Sequence, residues 1–185
     1  MDKFMHLSEI PESVCNDIVD FYWNNDTYPI KKGEVGGRKS DCNDIKDSYD
    51  VCVATNYQDF DDRIKSYLDN LNRCLDEYFD RFDRSKMPLR ISPKFNIQRY
   101  EPKGGYKVWH HERTAQKHAA RRHLVWMTYL TDNPDGGTEF MYQDLYIPAQ
   151  VGKTVIWPAE WMYTHRSRID MENEKMIITG WVELI

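Results

Sequence analysis

The sequence predicts an α+β fold, mainly β, with a sandwich or jelly-roll core braced on one face by N-terminal helices. Three observations carry that reading. From Asp59 an apolar stripe recurs at helical spacing (Phe60, Ile64, Tyr67, Leu68, Leu71, Leu75, Tyr78, Phe79, Phe82), with acids and bases on the other face. After Pro93 the rhythm changes to short runs of strand character, at about 94–100, 105–111, 122–130, 138–142, 144–148, 153–157, 162–167 and 174–184. Turn chemistry separates them at Pro102-Lys103-Gly104-Gly105, at Asp132 to Gly137 and at Gly152. Many short strands in so little chain suggest a sandwich or jelly roll, and an amphipathic helix needs an apolar sheet to cover.

The earlier elements follow in order. Pro11 with Glu12 suits the first turn of a helix. Val14, Ile18, Phe21 and Tyr22 continue it at helical spacing, and Asn24-Asn25-Asp26 stops it. Residues 28–48 are polar and carry Gly33, Gly36 and Gly37, which reads as an irregular loop and a candidate lid with glycine hinges. Asp50 to Ala54 reads as a short strand. The expected layout is one domain over 1–185, with supporting helices and loop in 1–90 and the β-core with the reactive site in 91–185.

Composition narrows the function. The 185 residues carry 25 Lys+Arg against 30 Asp+Glu, a net charge of -5, which argues against a nucleic-acid partner. The 14% aromatic content argues against disorder and leaves many rings for a core or a pocket. The start has no apolar signal core, and no apolar run approaches the ~20 residues of a membrane span. Cys15, Cys42, Cys52 and Cys74 show no zinc-type spacing and read as reduced thiols, so a cytoplasmic location is expected, with no membrane partner.

Chemistry concentrates among the histidines. His110 and Glu112 are two apart in what reads as a strand, so both point to one face. His-x-acid plus a distant His is the ligand set of the non-haem Fe(II) facial triad. Alone the pattern is weak, because six His and 30 acids give roughly one such pair by chance. His165 follows the strand Thr154 to Ala159, and ten residues later Lys175 opens the last strand. By alternation Lys175, Ile177, Thr179 and Trp181 share a face. An ammonium among Ile and Trp needs an anionic partner, which a dicarboxylate co-substrate would provide.

These residues resemble the prolyl 4-hydroxylase branch of the 2-oxoglutarate/Fe(II)-dependent dioxygenases. His110-x-Glu112, His165 and the step to Lys175 carry the resemblance. So do Phe95-Asn96-Ile97-Gln98-Arg99-Tyr100, Arg122 to Leu130, Gly136-Gly137-Thr138-Glu139-Phe140 and Ile178-Thr179-Gly180-Trp181, in the family's order. It implies a double-stranded β-helix core with Fe(II) bound by His110, Glu112 and His165, which are then the catalytic centre. It further implies 2-oxoglutarate and O2 as co-substrates, with ascorbate a further candidate. Lys175 would pair with the far carboxylate of 2-oxoglutarate and Tyr129 would add a hydroxyl to it. Tyr100 and Thr179 are lesser pocket contacts, and Met127 and Trp181 apolar lining. His111 and His123 are not expected to be ligands. The family's usual acid is aspartate, so Glu112 is a departure whose extra methylene must be accommodated.

The activity so implied is hydroxylation of an unactivated C–H bond, with a prolyl residue in a peptide or protein as the expected substrate and a small molecule as second choice. Basic residues between Arg113 and Arg122 are candidates to meet an acidic substrate group. Two other classes stand beside it: a cupin-like metal enzyme, which shares His110, Glu112 and His165 but has no use for Lys175, and a non-catalytic β-barrel binding module, which the Glu112 departure leaves open.

Overall fold

The computed structural model describes residues 4–35, 38–39, 44–55 and 61–185. The chain starts with β1 (His6–Glu9) and α1 (Glu12–Asn24), with Pro11 as the N-cap residue. Four two-residue strands and one longer strand follow: β2 (Lys31–Lys32), β3 (Glu34–Val35), β4 (Arg38–Lys39), β5 (Lys46–Asp47) and β6 (Tyr49–Ala54). Next is α2 (Asp62–Arg81), capped by Asp61, whose side chain accepts from the Arg63 amide at 2.9 Å. The remainder is β7 (Leu89–Ile91), β8 (Lys94–Tyr100), β9 (Gly105–Tyr106), β10 (Arg122–Tyr129), β11 (Asn133–Phe140), β12 (Leu145–Ala149), β13 (Lys153–Pro158), β14 (His165–Ser167) and β15 (Lys175–Leu184).

The large sheet runs β1-β13-β10-β15-β8-β6-β2, with β7 also paired to β15, and every pairing is antiparallel. A smaller sheet, β12-β11-β14, faces it. Period-two alternation along β10 and β15 divides the core in two. Leu124 and Trp126 of β10 and Ile178 of β15 join Phe95, Ile97 and the helix residues Ile18, Phe21, Ile64, Tyr67 and Leu71. Val125, Met127, Tyr129 and Ile177 instead join Phe140, Ile147 and Ala149 of the small sheet. The fold is the predicted double-stranded β-helix with helices on one face. No helix among the described residues is long and apolar enough to cross a membrane.

Two details fix how tightly the layers meet. Gly180 lies under the Trp126 indole, where an added Cβ would come 2.5 Å from Cζ2 and 2.9 Å from Phe95 Cβ. A buried hydroxyl chain, Tyr67 to Thr128 to Thr154 at 2.8 Å per link, ties α2 through the sheet.

The structure corrects several sequence expectations. The strand expected at 105–111 is only Gly105–Tyr106, and residues 107–121 form no ladder beyond a single bridge at His110. The turn expected at Asp132 to Gly137 lies mostly within β11, whose pairing with β12 is irregular between Asn133 and Thr138. The strand expected at 162–167 is a 3-10 turn (Trp161–Tyr163) followed by β14. Residues 1–90 also contribute strands, since β1, β2 and β6 all belong to the large sheet. Two-residue strands have no period to read, so the loop expected at 28–48 concealed them. Phe60 and Cys42 lie outside the described residues.

Candidate active site

The second core layer opens into a cavity of about 500 Å³ between the two sheets. Lys175, Ile177, Thr179 and Trp181 all line it, the face that alternation assigned to them. On its wall, ligand atoms of His110, Glu112 and His165 lie within 4.8 Å of one another. Tyr100 also lines the cavity, while its hydroxyl donates to Gln98 Oε1 at 2.7 Å.

Backbone pairing, not strand parity, brings the two histidines together. The His110 amide donates to the His165 carbonyl at 3.0 Å, and the His165 amide returns the bond at 2.8 Å. This reciprocal bridge aligns two residues 55 positions apart in sequence and leaves their ring centroids 4.3 Å apart. Tyr106 stacks on His110 at 3.6 Å, and Trp157 and Phe140 flank His165.

The ring nitrogens can be assigned from their partners. His110 Nδ1 lies 3.1 Å from the Val108 carbonyl and His165 Nδ1 2.8 Å from the Tyr163 carbonyl. A carbonyl only accepts, so each Nδ1 carries a proton and each Nε2 is turned towards Glu112. Those Nε2 atoms sit 3.5 Å and 3.8 Å from the same Glu112 oxygen, Oε1. Two imidazole nitrogens and a carboxylate oxygen thus converge on one point, a set that a cation can bridge. The donor set therefore fits a divalent metal, and its two imidazoles and one carboxylate suit Fe(II).

Electrostatics agree with that geometry. Burial alone would raise the Glu112 carboxyl, but the contact with His110 and the Arg122 charge outweigh it and hold it well below the usual carboxylate range. Burial, with His110 beside it, lowers His165 to about 3, so the imidazole stays neutral and available as a ligand. Lys175 is 4% exposed and burial lowers it to about 7. Its Nζ donates to the Gly136 carbonyl and, at 3.4 Å, to the Gly137 carbonyl. Among the described residues no carboxylate is within ion-pair reach of it, and only distant Asp170 favours its charge.

Other expected residues are placed differently. Tyr129 is fully buried behind the wall, its hydroxyl donating to Thr138 Oγ1 at 2.7 Å, and Thr138 lines the cavity. The Thr179 hydroxyl donates to the Trp126 carbonyl at 2.9 Å. His123 Nε2 bonds the Ser85 carbonyl at 2.9 Å, away from the metal-ligating group, while His111 lines the cavity. Of the basic segment, Arg113 is held by Glu160 and the Ala120 carbonyl. Glu34, Val35 and Lys46, from the stretch read as a lid, reach the cavity wall. The residue whose role sequence reasoning missed is Arg122, read as the end of a basic segment and the start of a strand and found bonded to Glu112.

An antiparallel double-stranded β-helix with a two-His, one-carboxylate cluster on its cavity is the arrangement of non-haem metal enzymes. Residues 95–183 match the model of the 2OG-Fe(II) oxygenase superfamily, a family whose chemistry uses Fe(II), 2-oxoglutarate and O2. Solved structures share the fold at low identity. A viral collagen prolyl hydroxylase of Paramecium Bursaria Chlorella virus-1, in its 2OG complex, superposes with TM-score 0.72 at 13% identity, covering 99% of this chain and 97% of that one. A Pseudomonas putida prolyl-4-hydroxylase gives TM-score 0.70 at 13% identity, covering 98% and 92%. A Trichoplax adhaerens prolyl hydroxylase, in complex with a hypoxia inducible factor peptide fragment, gives 0.71 at 13% identity, covering 97% and 83%. No curated protein sequence matches the chain.

Proposed function

We propose that this 2-oxoglutarate-dependent oxygenase hydroxylates a prolyl residue in a peptide or protein, with His110, Glu112 and His165 as the Fe(II) ligands. The observation that carries the reading is the pairing of that donor cluster with a buried ammonium lacking a counter-ion, both on one cavity. A cupin-like enzyme without 2-oxoglutarate would leave Lys175 unexplained.

Bound Fe(II) and 2-oxoglutarate would supply O2 activation, giving succinate, CO2 and one oxygen atom for the substrate C–H bond. This chain's residues do the rest. Lys175 meets the far carboxylate of 2-oxoglutarate, regaining the counter-ion that burial denies it. Thr138, with Tyr129 behind it, brings hydroxyls to the same end. Met127, Ile177 and Trp157 line the cavity with apolar surface and exclude water from the reacting atoms. Tyr100 and Thr179 shape the wall, their hydroxyls already bonded to protein atoms. Residues 1–185 act as one unit, and the substrate enters past Trp109 and His111. The structural neighbour with a bound peptide fragment supports a peptide substrate. The test is a panel of peptides with and without proline, assayed for O2-dependent succinate and for mass gain on the peptide. Hydroxylation confined to proline-containing peptides is expected; succinate coupled only to proline-free substrates would overturn the prolyl assignment.

A further inference from the structure

We propose that Arg122 and Trp181 are positioning residues that hold Glu112 in a pose offering a single oxygen to the metal. The inference rests on the reading of His110, Glu112 and His165 as ligands. It starts from the fact that Glu112 lies in no strand, so no ladder fixes its backbone or aims its side chain. Two neighbouring strands do this instead. Arg122 Nη1 donates to the Glu112 carbonyl at 3.1 Å and to Glu112 Oε2 at 2.7 Å, tying main chain and side chain together. Trp181 Nε1 donates to the same Oε2 at 2.9 Å. The Arg122 guanidinium lies 3.5 Å over the Trp181 ring, so each donor also steadies the other. A register shift between Arg122 and Leu124, where β10 meets β15, is the kind of bulge that re-aims a side chain beside an active site.

The consequence is a division of labour between the two carboxylate oxygens. Oε2 is engaged by two donors, and Oε1 alone faces the two imidazoles. A glutamate has one more rotatable bond than an aspartate and is freer to swing or to chelate through both oxygens. With Oε2 engaged, the three side chains take three metal positions and leave three open, the number that a bidentate co-substrate and O2 require. The clamp thus accommodates the departure from aspartate. Partners of this kind typically change metal affinity by about 10–100-fold when removed.

The experiment measures Mn(II) binding, as a redox-stable stand-in for Fe(II), by the EPR signal of the free ion, without co-substrate or turnover. Variants are Trp181→Phe, Arg122→Met, Arg122→Lys, Glu112→Asp and Glu112→Ala, each checked by the melting curve of the metal-free protein. Trp181→Phe, which keeps an aromatic face beside Arg122 but loses the indole N–H, and Arg122→Met should each weaken Mn(II) binding by about 10–100-fold. Arg122→Lys should recover part of the loss, because an ammonium can still pair with Oε2 but lacks the planar group that lies over Trp181. In the Glu112→Asp background, Trp181→Phe should cost less than about twofold, because the shorter carboxylate has already left the indole. Wild-type affinity in Trp181→Phe, or an equal loss in both backgrounds, overturns the clamp. Should Arg122→Met fail to fold, Trp181→Phe and its coupling to Glu112→Asp decide the matter. If Glu112→Ala binds Mn(II) as wild type does, the ligand reading itself is what fails.

Discussion

Lys175→Met separates stability from function in opposite directions. In the ligand-free protein burial lowers this lysine from 10.5 to about 7, with no carboxylate partner among the described residues. At about 1.4 kcal/mol per pH unit, keeping it charged in the fold costs about 5 kcal/mol. Methionine fills nearly the same volume without charge. The change also removes a donor from the Gly136 carbonyl, returning about 1–3 kcal/mol, whereas the Gly137 carbonyl still accepts from the Arg168 amide at 3.0 Å. The net gain is about 2–4 kcal/mol, or roughly 4–16 °C in melting temperature for a chain of this size. The pH dependence has a definite sign. Below pH 7 the lysine is protonated in both folded and unfolded states and the full penalty is present. Between pH 7 and 10.5 the unfolded chain binds the extra proton, so wild-type stability rises with pH and the gap to the variant closes. The assay is thermal unfolding of metal-free wild type and variant from pH 6 to 9, beside 2-oxoglutarate binding to the Mn(II)-loaded proteins. The variant should melt higher at pH 6, converge with wild type towards pH 9, and bind 2-oxoglutarate at least about 100-fold more weakly. A variant that melts lower at pH 6, or binds 2-oxoglutarate normally, refutes the reasoning.

Three further outcomes follow from named contacts. Tyr129→Phe should weaken 2-oxoglutarate by only about 2–10-fold, since it removes one neutral hydroxyl behind Thr138; titration of the Mn(II) form checks this, and a loss as large as that of Lys175→Met contradicts it. Gly180→Ala should destabilise the fold by about 1–3 kcal/mol, because its Cβ would press on the Trp126 ring; urea unfolding measures it, and an unchanged midpoint contradicts the close approach. Tyr67→Phe should cost about 1–3 kcal/mol by breaking the hydroxyl chain through Thr128 to Thr154, again read from urea midpoints.

Much of the architecture was legible because the long elements carry their period openly. Helix α2 has a stripe over its whole length, and β15 runs ten residues, long enough for alternation to assign Lys175, Ile177, Thr179 and Trp181 to one face. The site was legible for a partly mistaken reason. His110 and Glu112 were expected to converge by strand parity, yet Glu112 belongs to no strand and His110 has only its bridge to His165. Their convergence depends on contacts between residues far apart in sequence, to which local periodicity is blind. Arg122 shows the same limit. As one cation in a basic segment it had no visible partner, and only the meeting of β10 with β15 places it against Glu112 and Trp181. The short strands β1 to β5 take their form from the partners they pair with, far along the chain for β1 and β5, and leave no pattern of their own.

The central claim is that one cavity holds Fe(II) on His110, Glu112 and His165 and 2-oxoglutarate on that metal and Lys175. Anaerobic titration of Fe(II)-loaded protein with 2-oxoglutarate, followed by visible absorption, tests it most directly. The account predicts a saturable metal-to-ligand charge-transfer band, lost in Glu112→Ala and requiring far more 2-oxoglutarate in Lys175→Met. Absence of the band in folded, iron-loaded wild type, or a wild-type titration in both variants, would contradict it.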